Sequence, residues 1–537
     1  MHYPVIIVGG GITGIGILRD LSMRGIKALL IEQKDLAFGA SSRFHGLLHS
    51  GARYVVGDPE AGAECIAENK ILRKIARHAL ELTEGLFIRT PEDPADYEDK
   101  WLKACAEVGI ETRPLSVQEA LALEPNMAQD IKAAYVVPDS SGDGFRIVRQ
   151  NAVSANPYGG ELRNYSALTA IHTANGMVSG VTVRDTLSGD TEEIGCDFII
   201  NAGGSWAGEI AHMAGVDVNV TPSRGLLLGF NHRFTDRIIN RLRKPDNGDI
   251  FVPHGSITIF GTTSVNVERP DDHRVEHSEC LELLEMGKVL FPDLSNYRIL
   301  RGFAGTRPLY TPSGSAGREA TRNFVVLDHE MEGLKGMASI VGGKFTTYRL
   351  MAERICDLVA EKLGNTAPCR TADEELVPEV SDSARVRAQK YFPKMGVNLA
   401  VSRQGDKFEE ILSALDAAPE KKNLLCECEL VTQAEFEAVA AESTSHTLSD
   451  IRRRTRMGMG TCQGTFCGYR SVGAIAQAGL MHGSDPAALL SQFIEERWGG
   501  IRPMLWGTQI KEIELNRGIY GTLLNVNGSS VNEVEDE

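Results

Sequence analysis

The stretch Pro4–Asp35, PVIIVGGGITGIGILRDLSMRGIKALLIEQKD, decides the fold. Pro4–Val8 is a short unbroken apolar run, the pattern of a parallel strand buried on both faces. Gly9, Gly11 and Gly14 follow as G-x-G-x-x-G. The first glycine makes the tight turn, the second lets the backbone approach a pyrophosphate, and the third lets helix pack on strand. Small and apolar residues recur at Gly14, Ile17, Leu18 and Leu21, a helical spacing that stops at Gly25. A second apolar run, Ala28–Ile31, ends on Glu32, whose carboxylate is placed to accept hydrogen bonds from a ribose. The glycine pattern alone is weak. Strand, fingerprint, helix, strand and terminal acid in this order predict a dinucleotide site.

The 537 residues allow two or three domains. A net charge of −16 argues against a nucleic-acid partner. The N-terminus shows no basic n-region, so secretion is not expected, and no run of about 20 apolar residues is present to span a bilayer. Ten cysteines in a chain of this length do not suggest a secreted disulfide scaffold. They need sorting into buried thiols and ligands.

Beyond Asp35, Gly39, Ala40, Ser41 and Ser42 form a small polar loop, either an ordinary surface loop or one running beside a cofactor. His45 and His49 precede Gly51-Ala52-Arg53-Tyr54, where Arg53 is either a solvated arginine or one reaching into a pocket. Pro59–Leu80 has helical spacing with Cys65 as a buried thiol. Residues 81–160 alternate between loops and short amphipathic segments and show no chemistry. Ala167–Ile171, Val178–Asp185 and Asp197–Ala202 read as strands. The last feeds Gly203-Gly204, a second glycine-containing turn. The nucleotide domain is therefore expected to be discontinuous, which favours a flavin over a nicotinamide.

Gly225–Phe230, Asp249–Pro253 and Ser256–Phe260 predict a substrate-covering sheet. Arg301 and Arg307 stand among small residues in RGFAGTRPL. Met337–Val341 enters Gly342-Gly343-Lys344-Phe345-Thr346-Thr347 and a helix ending at Gly364. A glycine pair before a helix gathers backbone N–H groups and the positive dipole end, suited to the negative charge of a reduced flavin. Lys344 is either catalytic or solvated. Residues 366–382 and 419–423 read as linkers around a helical segment.

Cys426 and Cys428 form C-x-C, and Cys462 and Cys467 form C-x₄-C after 33 intervening residues. Capping boxes at Thr432–Glu435 and Thr447–Asp450 predict two short helices between the pairs. Four thiolates suit zinc or an iron–sulfur cluster, and the short C-x-C spacing favours [2Fe–2S]. Arg452, Arg453, Arg454 and Arg456 read by default as a solvated helix face. The alternatives are an offset to the charge of a cluster and a docking patch. The acidic C-terminal tail is expected to fray.

The dinucleotide finger, HGLLHSGARY at 45–54, GTRPL at 305–309, GGKFTTYR at 342–349 and CEC…GMGTCQGTFC together resemble one family. It is that of the large catalytic subunits of anaerobic, respiratory glycerol-3-phosphate dehydrogenases. These are FAD proteins of the D-amino-acid-oxidase-like superfamily with a C-terminal bacterioferritin-associated-ferredoxin-like domain. The resemblance covers nearly the whole chain. It implies an α/β and α+β fold: a discontinuous Rossmann-like FAD-binding domain, an antiparallel-sheet substrate domain and a small helical iron–sulfur domain. The domains would be 1–365, a linker and helical segment at 366–423, a [2Fe–2S] domain at 424–480 and an extension at 481–537.

By the same resemblance Arg53, Arg307 and Lys344 surround the flavin and the substrate, sn-glycerol 3-phosphate. A dianionic phosphate accounts for three cations converging in an acidic chain. The base is not singled out: His49, His232 and the neighbourhood of Arg307 are candidates, with His254 competing with His232. Gly9, Gly11, Gly14, Glu32, Gly39, Ser41, Ser42, His45, Gly203, Gly343 and Thr346 are assigned to FAD, and the four cysteines to the cluster. The family's lysine-glycine pair appears here as Arg224-Gly225. The implied reaction is oxidation to dihydroxyacetone phosphate. Electrons would pass to two partner subunits, one carrying a second flavin and one an iron–sulfur membrane anchor, and then to quinone. The site of this transfer would be the cytoplasmic face of the inner membrane. The rival expectations are an amine or opine dehydrogenase, a direct oxidase, and a redox sensor without turnover.

Overall fold

A computed structural model describes residues 1–310, 323–480, 485–505 and 508–523. The chain forms two compact units: Met1–Arg298 with Phe303–Val377, and Ile299–Gly302 with Pro378–Glu537.

The opening stretch folds as its pattern dictates. His2–Val8 is a strand, Ile12–Met23 a helix and Ala28–Ile31 a second strand, parallel to the first. Gly9 takes φ +114°, and a Cβ there would meet the Ala202 carbonyl at 2.6 Å. A Cβ on Gly14 would lie 1.9 Å from the Gly9 carbonyl oxygen, so the turn closes only on glycine. Ile15, Ile17, Leu18 and Leu21 are buried to within 1%, each worth about 1.5–3 kcal/mol of apolar burial.

Five parallel strands make the centre of the first sheet: Glu161–Arg163, Ala28–Ile31, His2–Val8, Thr191–Asn201 and Met337–Gly342. Their sequence separations show the expected discontinuity. An antiparallel pair, Ser166–Ala174 and Met177–Asp185, continues from Thr191–Asn201, and Phe324–Asp328 lies beside Met337–Gly342. The helix Tyr348–Lys362 packs on Ile12–Met23, where a Cβ on Gly16 would sit 3.0 Å from the Tyr348 ring.

The second sheet has nine strands and is largely antiparallel, with Ile238–Arg241 parallel to Gly85–Arg89. It contains the expected strands near residues 225, 250 and 257. Gly85–Arg89 and Ala133–Val137 also belong to it, so the stretch that showed no chemistry builds the sheet under the site.

The segment read as a linker is strapped down as far as Val377. Leu376 and Val377 are buried, and Arg19, itself 1% exposed, donates to the carbonyls of Thr371 (3.0 Å) and Glu374 (2.8 Å). Pro419–Lys422 forms a single 3₁₀ turn.

The second unit has a helical core of Phe392, Phe408, Ile411 and Leu415, and another around Phe436, Ile451, Met457 and Phe493. Both capping boxes form. Thr432 Oγ1 accepts from Glu435 N and starts Gln433–Ala440; Thr447 Oγ1 accepts from Asp450 N and starts Leu448–Thr455. The arginine run is not a solvated face. Arg452, Arg454 and Arg456 are buried at 7–8% exposure and pair with Glu496, Glu442 and Glu429. Burying a guanidinium requires a partner charge, and those acids come from other elements. The acidic tail lies outside the described residues.

Candidate active site

A cavity of about 520 Å³ lies in the first unit. One end is the glycine finger, with Gly9, Gly11, Glu32, Gly39 and Ser41 in its wall. Gly203, Gly343, Arg53, Arg307, Lys344, His45 and His49 also line the cavity.

At the finger, the helix Ile12–Met23 begins without a side-chain N-cap from Gly11, and Ser41 Oγ accepts from Ile12 N at 2.9 Å. A Cβ on Gly11 would lie 3.2 Å from Ser41 Oγ. Glu32 closes this end, accepting from Gly10 N (2.7 Å) and Lys34 N (2.9 Å). Burial pushes its carboxyl up despite those two N–H groups. An open helix terminus, an acid beyond the second strand and close-approach glycines fit a dinucleotide.

The three cations arrive from separate elements. Arg53 follows the turn at Gly51, which takes φ +95°. It donates to the Asp246 carbonyl (2.9 Å) and to Asp249 (3.1 Å). Asp249, fully buried, also binds Arg243 at 2.8 Å, so Arg53 is tethered where it meets the cavity. Arg307, on Ile299–Tyr310, donates to Thr262 Oγ1 (2.9 Å) and the Thr263 carbonyl (3.0 Å). Gly225 makes room for it, since a Cβ there would lie 2.2 Å from Arg307 Nη2. Lys344 Nζ stands 5.1 Å from the Tyr54 ring centroid. The Tyr54 hydroxyl is 3.2 Å from His49 Nε2. His49 is buried, and its backbone N donates to Thr346 Oγ1 at 3.0 Å.

Other assigned residues lie outside the wall. Gly14 is a packing contact, Thr346 supports His49 from behind, and Ser42 is not in the cavity lining. His232 is exposed, stacked on Tyr297 with ring centroids 5.7 Å apart, and does not reach the cavity. His254, its competitor, stands 3.8 Å from Asp143, also outside the lining. Arg224 turns to Asp272 (3.3 Å) and Glu279 (3.2 Å), so the charge beside Gly225 is structural.

Tyr54 and Asp139 were not picked out by the sequence patterns. Tyr54 directly follows Arg53, a placement that could have marked it. Asp139 is buried behind the site and accepts from Ser50 N at 2.6 Å. Burial pushes its carboxyl up to about 6. Cys65 is buried as expected, its thiol pushed up to about 12 by burial.

In the second unit the four cysteines interact in a string: Cys426 with Cys467, Cys467 with Cys462, and Cys462 with Cys428. Among the described residues no three His, Cys, Asp or Glu side chains are gathered as a metal-holding group. The donor chemistry nevertheless fits a group bound through sulfur. Backbone N–H groups of Gly458 and Glu429 serve Cys426, those of Phe466 and Gly464 serve Cys462, and that of Cys462 serves Cys428. Such donors stabilise thiolate, and the Cys462 thiol is lowered to about 5, chiefly by its contact with Cys467.

The strand order and the glycine-fingered cavity define a dinucleotide-binding protein of the discontinuous α/β class. Residues 4–349 match the family described as DAO, FAD dependent oxidoreductase. The chain is 41% identical to the A subunit of the anaerobic glycerol-3-phosphate dehydrogenase of Escherichia coli K12, covering 96% of each chain. It is equally similar, at 41%, to the A1 subunit of the corresponding Haloferax volcanii enzyme, covering 97% of this chain and 90% of that one. The chain belongs to the FAD-dependent oxidoreductases and, among them, to the A subunits of anaerobic glycerol-3-phosphate dehydrogenases. The solved glycerol-3-phosphate dehydrogenase of Bacillus halodurans, complexed with FAD, shares the fold with a TM-score of 0.72 at 22% identity. It covers 94% of this chain and 96% of that one. Among the described residues no helix is long and apolar enough to cross a membrane.

Proposed function

We propose that this chain oxidises sn-glycerol 3-phosphate to dihydroxyacetone phosphate with FAD. The observation that carries the reading is the convergence of Arg53, Arg307 and Lys344 on a cavity continuous with the dinucleotide finger. The 41% identity to the Escherichia coli relative supports the substrate.

Gly9, Gly11, Glu32 and Ser41 would hold the nucleotide half of FAD, and Gly203 and Gly343 the flavin side. When bound, FAD supplies the acceptor for the hydride leaving substrate C2. The chain's own residues do the rest. Arg53, Arg307 and Lys344 hold the phosphate and the negative charge developing on the C2 oxygen, in a pocket where such charges are weakly screened. The C2 hydroxyl proton must leave as the hydride does. His49 is the base candidate placed in the cavity wall, and its hydrogen bond to Tyr54 fixes the ring. His232 has no part in this step, given its exposed position.

In the second unit, Cys426, Cys428, Cys462 and Cys467 would hold a [2Fe–2S] cluster, supplying a one-electron exit. Its electrons would go to partner subunits, a second flavin protein and an iron–sulfur membrane anchor, and then to quinone. The chain would lie peripherally on the cytoplasmic face of the inner membrane.

An anaerobic visible and EPR spectrum before and after adding glycerol 3-phosphate tests the proposal. Flavin bleaching and a reduced-cluster signal support it. Bleaching by amino acids but not by glycerol 3-phosphate would make the chain an amine or opine dehydrogenase. No bleaching by either would make it a redox sensor.

A further inference from the structure

Outside the cavity, the group least accounted for is Arg497. It lies near the end of the helix Pro486–Gly499 and is 2% exposed. A buried guanidinium is normally matched to a carboxylate. The adjacent Glu496 is instead taken by Arg452 and Arg453. One Arg497 Nη donates to the Gln463 side-chain oxygen, while Nε is buried with no acceptor among the described residues. Burial, and then Arg301 and Arg452, push its pKa well below the usual arginine range. Two neighbours favour its charged form, Glu496 and Cys467.

Arg497 is also fastened to the cysteine turn. Gln463 follows Cys462 and takes φ +51°. Its amide nitrogen donates to the carbonyls of Met459 (3.0 Å) and Gly460 (2.8 Å), and its oxygen is held by Arg497. One turn earlier on the same helix, Phe493 lies against three glycines. Cβ atoms on Gly458, Gly464 and Gly468 would meet its ring at 2.9, 2.8 and 3.2 Å. The helix is thus seated on the turn that carries Cys462 and Cys467, and it brings a cation there.

We propose that Arg497 is the built-in countercharge of the four-thiol centre and raises the reduction potential of the group bound there. The proposal rests on the [2Fe–2S] reading above. Two ferric ions, two sulfides and four thiolates carry a double negative charge, and one-electron reduction adds a third. A buried cation stabilises the reduced state more than the oxidised one. One electron enters and no proton need leave, because the added negative charge favours the charged guanidinium. Arg497 is a positioning residue, acting through Gln463 and through its field.

The test is an EPR-monitored redox titration of the full chain, loaded anaerobically with iron and sulfide. R497M, which removes the charge, should lower the midpoint by more than the ~59 mV of a tenfold one-electron change. R497K, which keeps the charge, should stay within that margin. An unchanged midpoint in loaded R497M overturns the inference while leaving the cluster reading intact. Equal shifts in R497M and R497K also overturn it, since shape and not charge would be responsible. If R497M cannot be loaded, retention of the cluster by R497K supports the proposal and its loss in both variants overturns it. Wild-type protein with no reduced-cluster EPR signal overturns the cluster reading and this inference together.

Discussion

Arg307 is placed by a missing side chain. Gly225 leaves the space in which its guanidinium lies, 2.9 Å from Thr262 Oγ1. Gly225→Ala should displace that guanidinium and lower kcat/KM for glycerol 3-phosphate by about a hundredfold, the scale of an ångström's misplacement. Arg307→Ala should do at least as much, with flavin content unchanged in both variants. Steady-state kinetics beside flavin absorbance checks this, and wild-type turnover in either variant would reject the role of Arg307. Asp139 makes a prediction about pH. Its folded pKa of about 6 lies above the ordinary aspartate value of 3.8, so between those values the folded state binds more protons than the unfolded one. Its stabilising contribution is full below about pH 4 and is lost as pH rises through 6, a change of about 3 kcal/mol at most. Asp139→Asn should remove that slope. Melting temperatures of the two proteins across pH 4–7 check this: the wild type should fall relative to Asp139→Asn as pH rises, and a constant difference would reject it.

At the scale of elements, a helix start doubles as an ion-pair site. Glu435 completes the capping box with Thr432 and accepts from Arg403 at 2.8 Å, both side chains being at most 1% exposed. Arg403 also donates to the Glu429 carbonyl at 2.9 Å, fixing the backbone beside Cys428. Glu435→Gln keeps the shape and removes the charge, leaving Arg403 buried with neutral acceptors. The loss should be about 3–5 kcal/mol, read as an earlier unfolding transition of the helical unit. A loss under about 1 kcal/mol would mean that the pair is solvated in solution.

At the scale of the whole molecule, each unit has apolar clusters of its own among the described residues. Those around the nucleotide sheet use residues up to Val377, and those of the helical unit begin at Val380. Two thermal transitions are therefore expected. Added FAD should raise only the first, since ligand linkage acts on the unit that binds. Calorimetry with and without FAD checks this, and a single transition that moves as a whole would refute it.

By itself the sequence determined what short-range patterns encode. The apolar runs, the glycines of the finger, the strand Ala28–Ile31 and both capping boxes form where their spacing places them, because each depends on neighbours a few residues away. The discontinuity of the nucleotide sheet was legible too, since each returning strand ends in its own glycine turn. Long-range pairing was not. Only the tertiary structure decided that Arg307 enters the cavity while Arg224 turns to Asp272, that His232 stays outside, and that the 81–160 region supplies strands beneath the site. It also decided that the arginines near the cysteines are buried. The physical reason is common to all of these. A charged side chain has no fixed environment in the sequence, and whether it meets water, a carboxylate or a substrate is set by elements distant in the chain.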